Sequence, residues 1–143
     1  MIIESFSPEI TAELGRKLGA QVKPGDVICL TGDLGVGKTV FTQGFAEGLG
    51  IDEPICSPTF TIILEYHSGR IPLYHFDVYR ILDPEEMYEI GYEEYVYGDG
   101  VSIIEWPGLI SDILPEERYD ITISKNHELH TDFREILIEK RGK

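Results

Sequence analysis

The string Gly32-Asp33-Leu34-Gly35-Val36-Gly37-Lys38-Thr39 constrains this chain more than any other feature in it. It fits G-x-x-x-x-G-K-[ST] in full, and its surroundings fit as well. Residues 26–31 form a short apolar run that reads as a buried strand. A helix is predicted from Lys38 to about Leu49, with Phe41, Phe45 and Leu49 as a core stripe and Gly50 closing it. Glycines between such a strand and helix permit unusual backbone angles and a close approach to phosphate. The loop amides and the helix N-terminus then point at the anion. Lys38 supplies a point charge for the outer phosphates. The Thr39 hydroxyl is a ligand for magnesium. A nucleoside triphosphate with magnesium is the expected ligand; the bland alternative is a glycine turn that happens to precede a helix.

Such a site needs a further acidic group for the metal or its water shell. Glu105 ends the apolar run Val101-Ser102-Ile103-Ile104, and that end of a parallel strand faces the ligand crevice. Asp77 falls near the end of a second β-rich run, residues 71–79. Trp106 stands where a second acid often follows the first, so two strands are expected to give one acid each. The competing readings are structural: Glu105 pairing with a lysine or arginine, and Asp77 pairing with Arg80 or capping a turn.

The remaining elements follow from local signals. Ser7-Pro8-Glu9 starts a helix, Ile10, Leu14 and Leu18 give its spacing, and Gly19 is its expected end. Residues 59–66 and 71–79 read as a hairpin. Asp83-Pro84-Glu85-Glu86 is a capping box whose helix should stop near Gly91. A short helical or irregular piece covers residues 92–97, and residues 109–114 suggest another short helix. Residues 118–124 and 133–139 alternate like a terminal antiparallel pair. With no internal repeat or linker, the expectation is one domain over residues 1–143. Its class is α/β: a P-loop NTPase-like mixed sheet, parallel at the core with antiparallel additions, flanked by helices.

Composition narrows the function. A net charge of −14 disfavours direct contact with a phosphate backbone. It is compatible with a basic protein partner, or with solubility alone. Two cysteines, Cys29 and Cys56, make no disulfide framework, and Cys29 reads as a buried thiol. No run reaches the roughly 18 apolar residues of a membrane span, and no leader peptide is recognised. A cytoplasmic protein is expected. No N-K-x-D-like string supports guanine specificity.

The order of several blocks resembles the TsaE (YjeE) family. They are the phosphate loop with Val40-Phe41, then Ser57-Pro58-Thr59-Phe60-Thr61, then His75-Phe76-Asp77-Val78-Tyr79-Arg80, then Asp83-Pro84-Glu85-Glu86, and Ile104-Glu105-Trp106-Pro107. The resemblance runs from about Thr11 to Leu114 and implies a bacterial ATPase. That ATPase is needed to make threonylcarbamoyladenosine beside the tRNA anticodon. It works with TsaB and with TsaD, which performs the transfer, so tRNA is met only through the complex. By the same resemblance Lys38 serves phosphate and Thr39 and Glu105 serve magnesium. Asp77 serves the metal's water shell or the attacking water. Ser57, Thr59 and Thr61 belong to a switch-like loop, Val40 and Trp106 lie by the nucleotide, and Thr11 and Arg134 lie near the adenine. His75 is read as a hydrogen-bonded structural residue. Rival functions are a small P-loop kinase and a nucleotide-gated binding module.

Overall fold

Two strands flank the strand that leads into the phosphate loop, and all three run parallel. In the computed structural model, which describes every residue except 33–36, 57, 59–61, 126–132 and 143, the strands are β1 (Ile2–Ser5), β2 (Val27–Thr31), β3 (Ile63–Tyr66), β4 (Leu73–Asp77), β5 (Val101–Glu105), β6 (Arg118–Lys125) and β7 (Arg134–Arg141). The described residues form one seven-stranded sheet in the order β1-β7-β6-β2-β5-β4-β3. β2 pairs in parallel with β5 and β6, and β5 pairs in parallel with β4. The pairs β1–β7, β6–β7 and β3–β4 are antiparallel. The mixed sheet expected from the sequence is therefore present, with antiparallel strands on both sides of a parallel centre.

The apolar runs explain this centre. A parallel strand covered on both faces has no polar side to show, so its sequence does not alternate. Val27, Ile28, Cys29 and Leu30 are all buried, as are Val101, Ser102, Ile103 and Ile104. One face packs Ile28, Leu30, Leu73 and Ile103 on Phe41, Phe45 and Leu49. The other packs Val27, Cys29, Phe76 and Ile104 on Met87, Tyr92, Val96 and Ile110. Burial pushes the Cys29 thiol up to about 12, far from thiolate chemistry at neutral pH.

Helix α1 (Pro8–Gln21) lies along α2 (Lys38–Gly48). Ser7 caps α1, its hydroxyl accepting from the Ile10 amide. Gly19 does not end α1, which continues to Gln21. The glycine is there for packing: a Cβ on it would lie 2.2 Å from the Phe45 carbonyl oxygen. The capping box holds, since Asp83 accepts from the Glu85 amide and Glu86 accepts from the Asp83 amide. It opens α3 (Glu85–Glu89), followed by α4 (Tyr92–Val96) after left-handed Gly91. A 3₁₀ helix spans Pro107–Ile113, starting two residues before the expected 109.

Strand boundaries differ as well: β4 begins at Leu73 rather than at residue 71. β4 stops at Asp77 rather than at residue 79, and β3 begins only at Ile63 after Ile62 at φ +67. β1 carries no local strand signal of its own. It has four residues, one of them buried, and becomes a strand because β7 offers it a partner.

Candidate functional site

Three strand ends fall in one row. Leu30 of β2 pairs with Glu105 of β5, and Glu105 pairs with Asp77 of β4. Paired residues point to the same face of a sheet, and here Leu30 marks that face as the one covered by α2. The carboxyl ends of the parallel strands therefore carry two acids beside the loop that leaves β2. At a parallel sheet this edge is where ligands bind.

Lys38 is the first residue of α2, and Gly37 before it has φ +111. A Cβ on Gly37 would meet nothing within 4 Å, so the backbone angle, not crowding, calls for glycine there. The Lys38 side chain is only 7% exposed. Its Nζ lies 3.7 Å from Glu105 Oε1 and 4.3 Å from the centre of the Trp106 ring. The ammonium thus has a carboxylate and an aromatic face as neighbours, both favourable to a cation. Thr39 follows on the first turn, exposed, and Val40 is half-buried.

Glu105 Oε2 has a different partner, His75 Nε2 at 2.6 Å. Asp77 is half-buried, and its Oδ1 accepts from the Tyr79 amide at 3.1 Å. Burial raises the Asp77 carboxyl above the usual range against that amide; the Glu105 charge adds to the rise, while His75 and Lys38 oppose it. The pairing and capping roles weighed for these acids are both present: Glu105 faces a lysine, and Asp77 caps a turn. The lysine that faces Glu105 is Lys38 of the phosphate-loop string.

Trp106 explains how β5 ends. Its backbone is left-handed, at φ 62 and ψ 45, and Pro107 follows. A strand cannot continue through that conformation, so the indole leaves the sheet plane and meets Lys38. Tyr79 comes within 4.9 Å of it, ring centre to ring centre.

Thr11 and Arg134 are each related to Ser5. Thr11 is buried on α1, with its Oγ1 2.7 Å from Ser5 Oγ. Ser5 pairs in turn with Arg134, which opens β7 two strands from β2. The Ser5 hydroxyl donates to the Ser7 carbonyl, so Thr11 is the donor in their pair. Asp33, Leu34, Gly35, Val36, Ser57, Thr59 and Thr61 lie outside the described residues.

His75 is hydrogen-bonded, as the sequence leads one to expect, and its partner is Glu105. On a strand, His75 and Asp77 are two apart and share a face.

A family model described as threonylcarbamoyl adenosine biosynthesis protein TsaE matches residues 5–136. The chain belongs to the TsaE family. TsaE proteins are P-loop ATPases, and the mixed sheet described above is the family's fold. The tRNA threonylcarbamoyladenosine biosynthesis protein TsaE of Bacillus subtilis strain 168 is 52% identical over 138 residues, covering 96% of this chain and 84% of that protein. The TsaE of Treponema pallidum strain Nichols is 48% identical over 120 residues, covering 84% and 87%. The crystal structure of Bacillus subtilis YdiB superposes with a TM-score of 0.85 at 45% identity, over 99% of this chain and 86% of that one. Among the described residues no helix is long and apolar enough to cross a membrane.

Proposed function

We propose that this chain is the ATP-binding and ATP-hydrolysing subunit of tRNA threonylcarbamoyladenosine modification, working in the cytoplasm with TsaB and TsaD. The observation that carries the reading is the convergence of Lys38, Glu105 and Asp77 at the carboxyl end of β2, β5 and β4 in a TsaE-family chain. ATP and magnesium are the cofactors. The donor set suits that metal: the Asp77 and Glu105 carboxylates and the Thr39 hydroxyl are all oxygen donors. Magnesium is commonly held by one or two carboxylates together with nucleotide phosphates, not by an all-protein cage. When bound, it offsets phosphate charge as water attacks the terminal phosphorus in line.

The chain's own residues divide the remaining work. Lys38 turns from Glu105 to the outer phosphates and offsets charge as the leaving oxygen departs. Glu105 and Thr39 hold the metal, and Asp77 holds its water shell or the attacking water. Gly32, Asp33, Leu34, Gly35, Val36 and Gly37 present amides to phosphate, with Val40 and Trp106 alongside. Thr11 and Arg134 serve the adenine end. Ser57, Thr59 and Thr61 form the switch-like loop.

A single small chain leaves little room for a second substrate, so hydrolysis should be weak alone and raised when partners complete the site. Phosphate release measured with and without TsaB and TsaD tests this, with several-fold stimulation expected. Transfer of the phosphoryl group to an acceptor other than water would favour a kinase and overturn the reading. The −14 charge gives a second expectation: the purified chain does not bind tRNA at physiological salt. Fluorescence anisotropy with labelled tRNA checks it; tight, steeply salt-dependent binding would contradict it.

A further inference from the structure

His75 stands two residues before Asp77 on β4, and its side chain is 4% exposed. The pairing sets Asp77 beside Glu105 and His75 beside Ile103, so His75 and Glu105 are diagonal neighbours on one face. Diagonal positions in a sheet are within reach of two long side chains. The two oxygens of Glu105 are thereby divided: Oε2 meets His75 Nε2 at 2.6 Å, and Oε1 faces Lys38 Nζ at 3.7 Å. An ionised carboxylate only accepts, so Nε2 carries the proton of this bond.

Packing does not account for an imidazole here. On that face Leu73 precedes it on its own strand, with Asp77 at the other end, and it pairs with fully buried Ile103 on one side and half-buried Leu64 on the other. Its Nδ1 is buried without a hydrogen-bond partner among the described residues. A leucine would fill such a place with no polar atom left over. The gain that offsets the stranded nitrogen is the bond to Glu105.

We propose that His75 is a positioning residue for Glu105. It ties down Oε2, removes the carboxylate's freedom to rotate, and leaves Oε1 turned toward Lys38 and the nucleotide. Hydrogen bonds to metal-ligating carboxylates act in this way, and their loss typically lowers metal affinity tenfold to a hundredfold. The inference rests on the reading of Glu105 as a magnesium group, which is tested alongside it.

Two variants that keep the volume separate the bond from packing. His75→Leu removes the donor, and His75→Gln returns an amide N–H near the place of Nε2. Calorimetry with ADP, with and without magnesium, is the readout, after thermal melts show each variant folded. His75→Leu should bind metal-free ADP within about twofold of the parent, while losing about tenfold in affinity for ADP with magnesium. His75→Gln should recover most of that loss. Unchanged binding in His75→Leu, equal weakening with and without magnesium, or no recovery in His75→Gln would each overturn the proposal. If His75→Leu does not fold, His75→Phe takes its place, as a ring without a donor. Glu105→Gln is measured in parallel. If it binds ADP with magnesium like the parent, the metal role of Glu105 fails. If it is impaired while His75→Leu is normal, only the role of His75 fails.

Discussion

Lys38→Ala is expected to lower ATP affinity or turnover at least tenfold. A hydrogen bond to a charged group contributes about 1.5–3 kcal/mol, which corresponds to roughly a ten- to hundredfold change. Lys38 is buried beside Glu105 and over the Trp106 ring, so its charge acts where water screens it little. Its aliphatic stem also packs, and Lys38→Met keeps that packing while removing the charge. Met and Ala variants should therefore lose nucleotide binding alike, with the Met variant melting closer to the parent. Trp106 is the single tryptophan and reports the same place. Its emission should change saturably as ATP and magnesium draw the ammonium away, and both variants should need far more nucleotide for a smaller change. Unchanged binding and turnover in Lys38→Ala would remove the phosphate-loop assignment.

The second large effect concerns Gly44, which no functional reading includes. A Cβ on Gly44 would lie 2.1 Å from the carbonyl oxygen of Ala12, and one on Gly15 would lie 2.3 Å from that of Phe41. The atoms in the way are backbone, so α1 and α2 must separate to admit a methyl group. Helix propensity argues the other way, since alanine is favoured over glycine by about 1 kcal/mol in a helix. Overpacking at such a contact costs about 1–3 kcal/mol and occasionally more. With the contact this short, the loss should win. Gly44→Ala should lower the melting temperature by several degrees, on the scale of roughly 2–4 °C per kcal/mol for a chain near this size. Gly44→Val should do worse. A rise in melting temperature would show that the helices can part without cost. Because α2 begins at Lys38, a displaced α2 should also weaken ATP binding in the fraction that stays folded.

These two residues mark the limit of what the sequence discloses. Lys38 and Thr39 sit in a contiguous motif whose geometry follows from its own glycines, so they could be named at once. Glu105 and Asp77 could be named because each ends a run with strand character, and the sheet does set them side by side. Trp106 was legible through Pro107-Gly108, which had to break the strand. Gly19 and Gly44 were not. A glycine in a helical pattern looks like a stop signal until the partner helix is known, and nothing local announces that partner. The same holds for β1, which borrows its conformation from β7. Ser5 touches the Thr11 hydroxyl and pairs with Arg134 across the sheet, and no periodicity encodes that link between distant parts of the chain. His75 lies between these cases. Its face was readable from alternation, but its bond to Glu105 needed the register of two strands.

On the ribosome the order of strands becomes an order of events. β2, which leads into the phosphate loop, emerges early, yet its two neighbours are β5 (Val101–Glu105) and β6 (Arg118–Lys125). A nascent chain that has released α1, α2 and the β3–β4 hairpin still offers β2 no strand to bond with. Long-range parallel pairing of this kind forms slowly, and the apolar run of β2 stays exposed meanwhile to chaperones or to other chains. Glu105 enters the site with β5, so Lys38 has no carboxylate beside it until translation has passed that strand. Prematurely terminated chains that stop before β5 would carry the whole phosphate-binding string without either of the strands that flank β2.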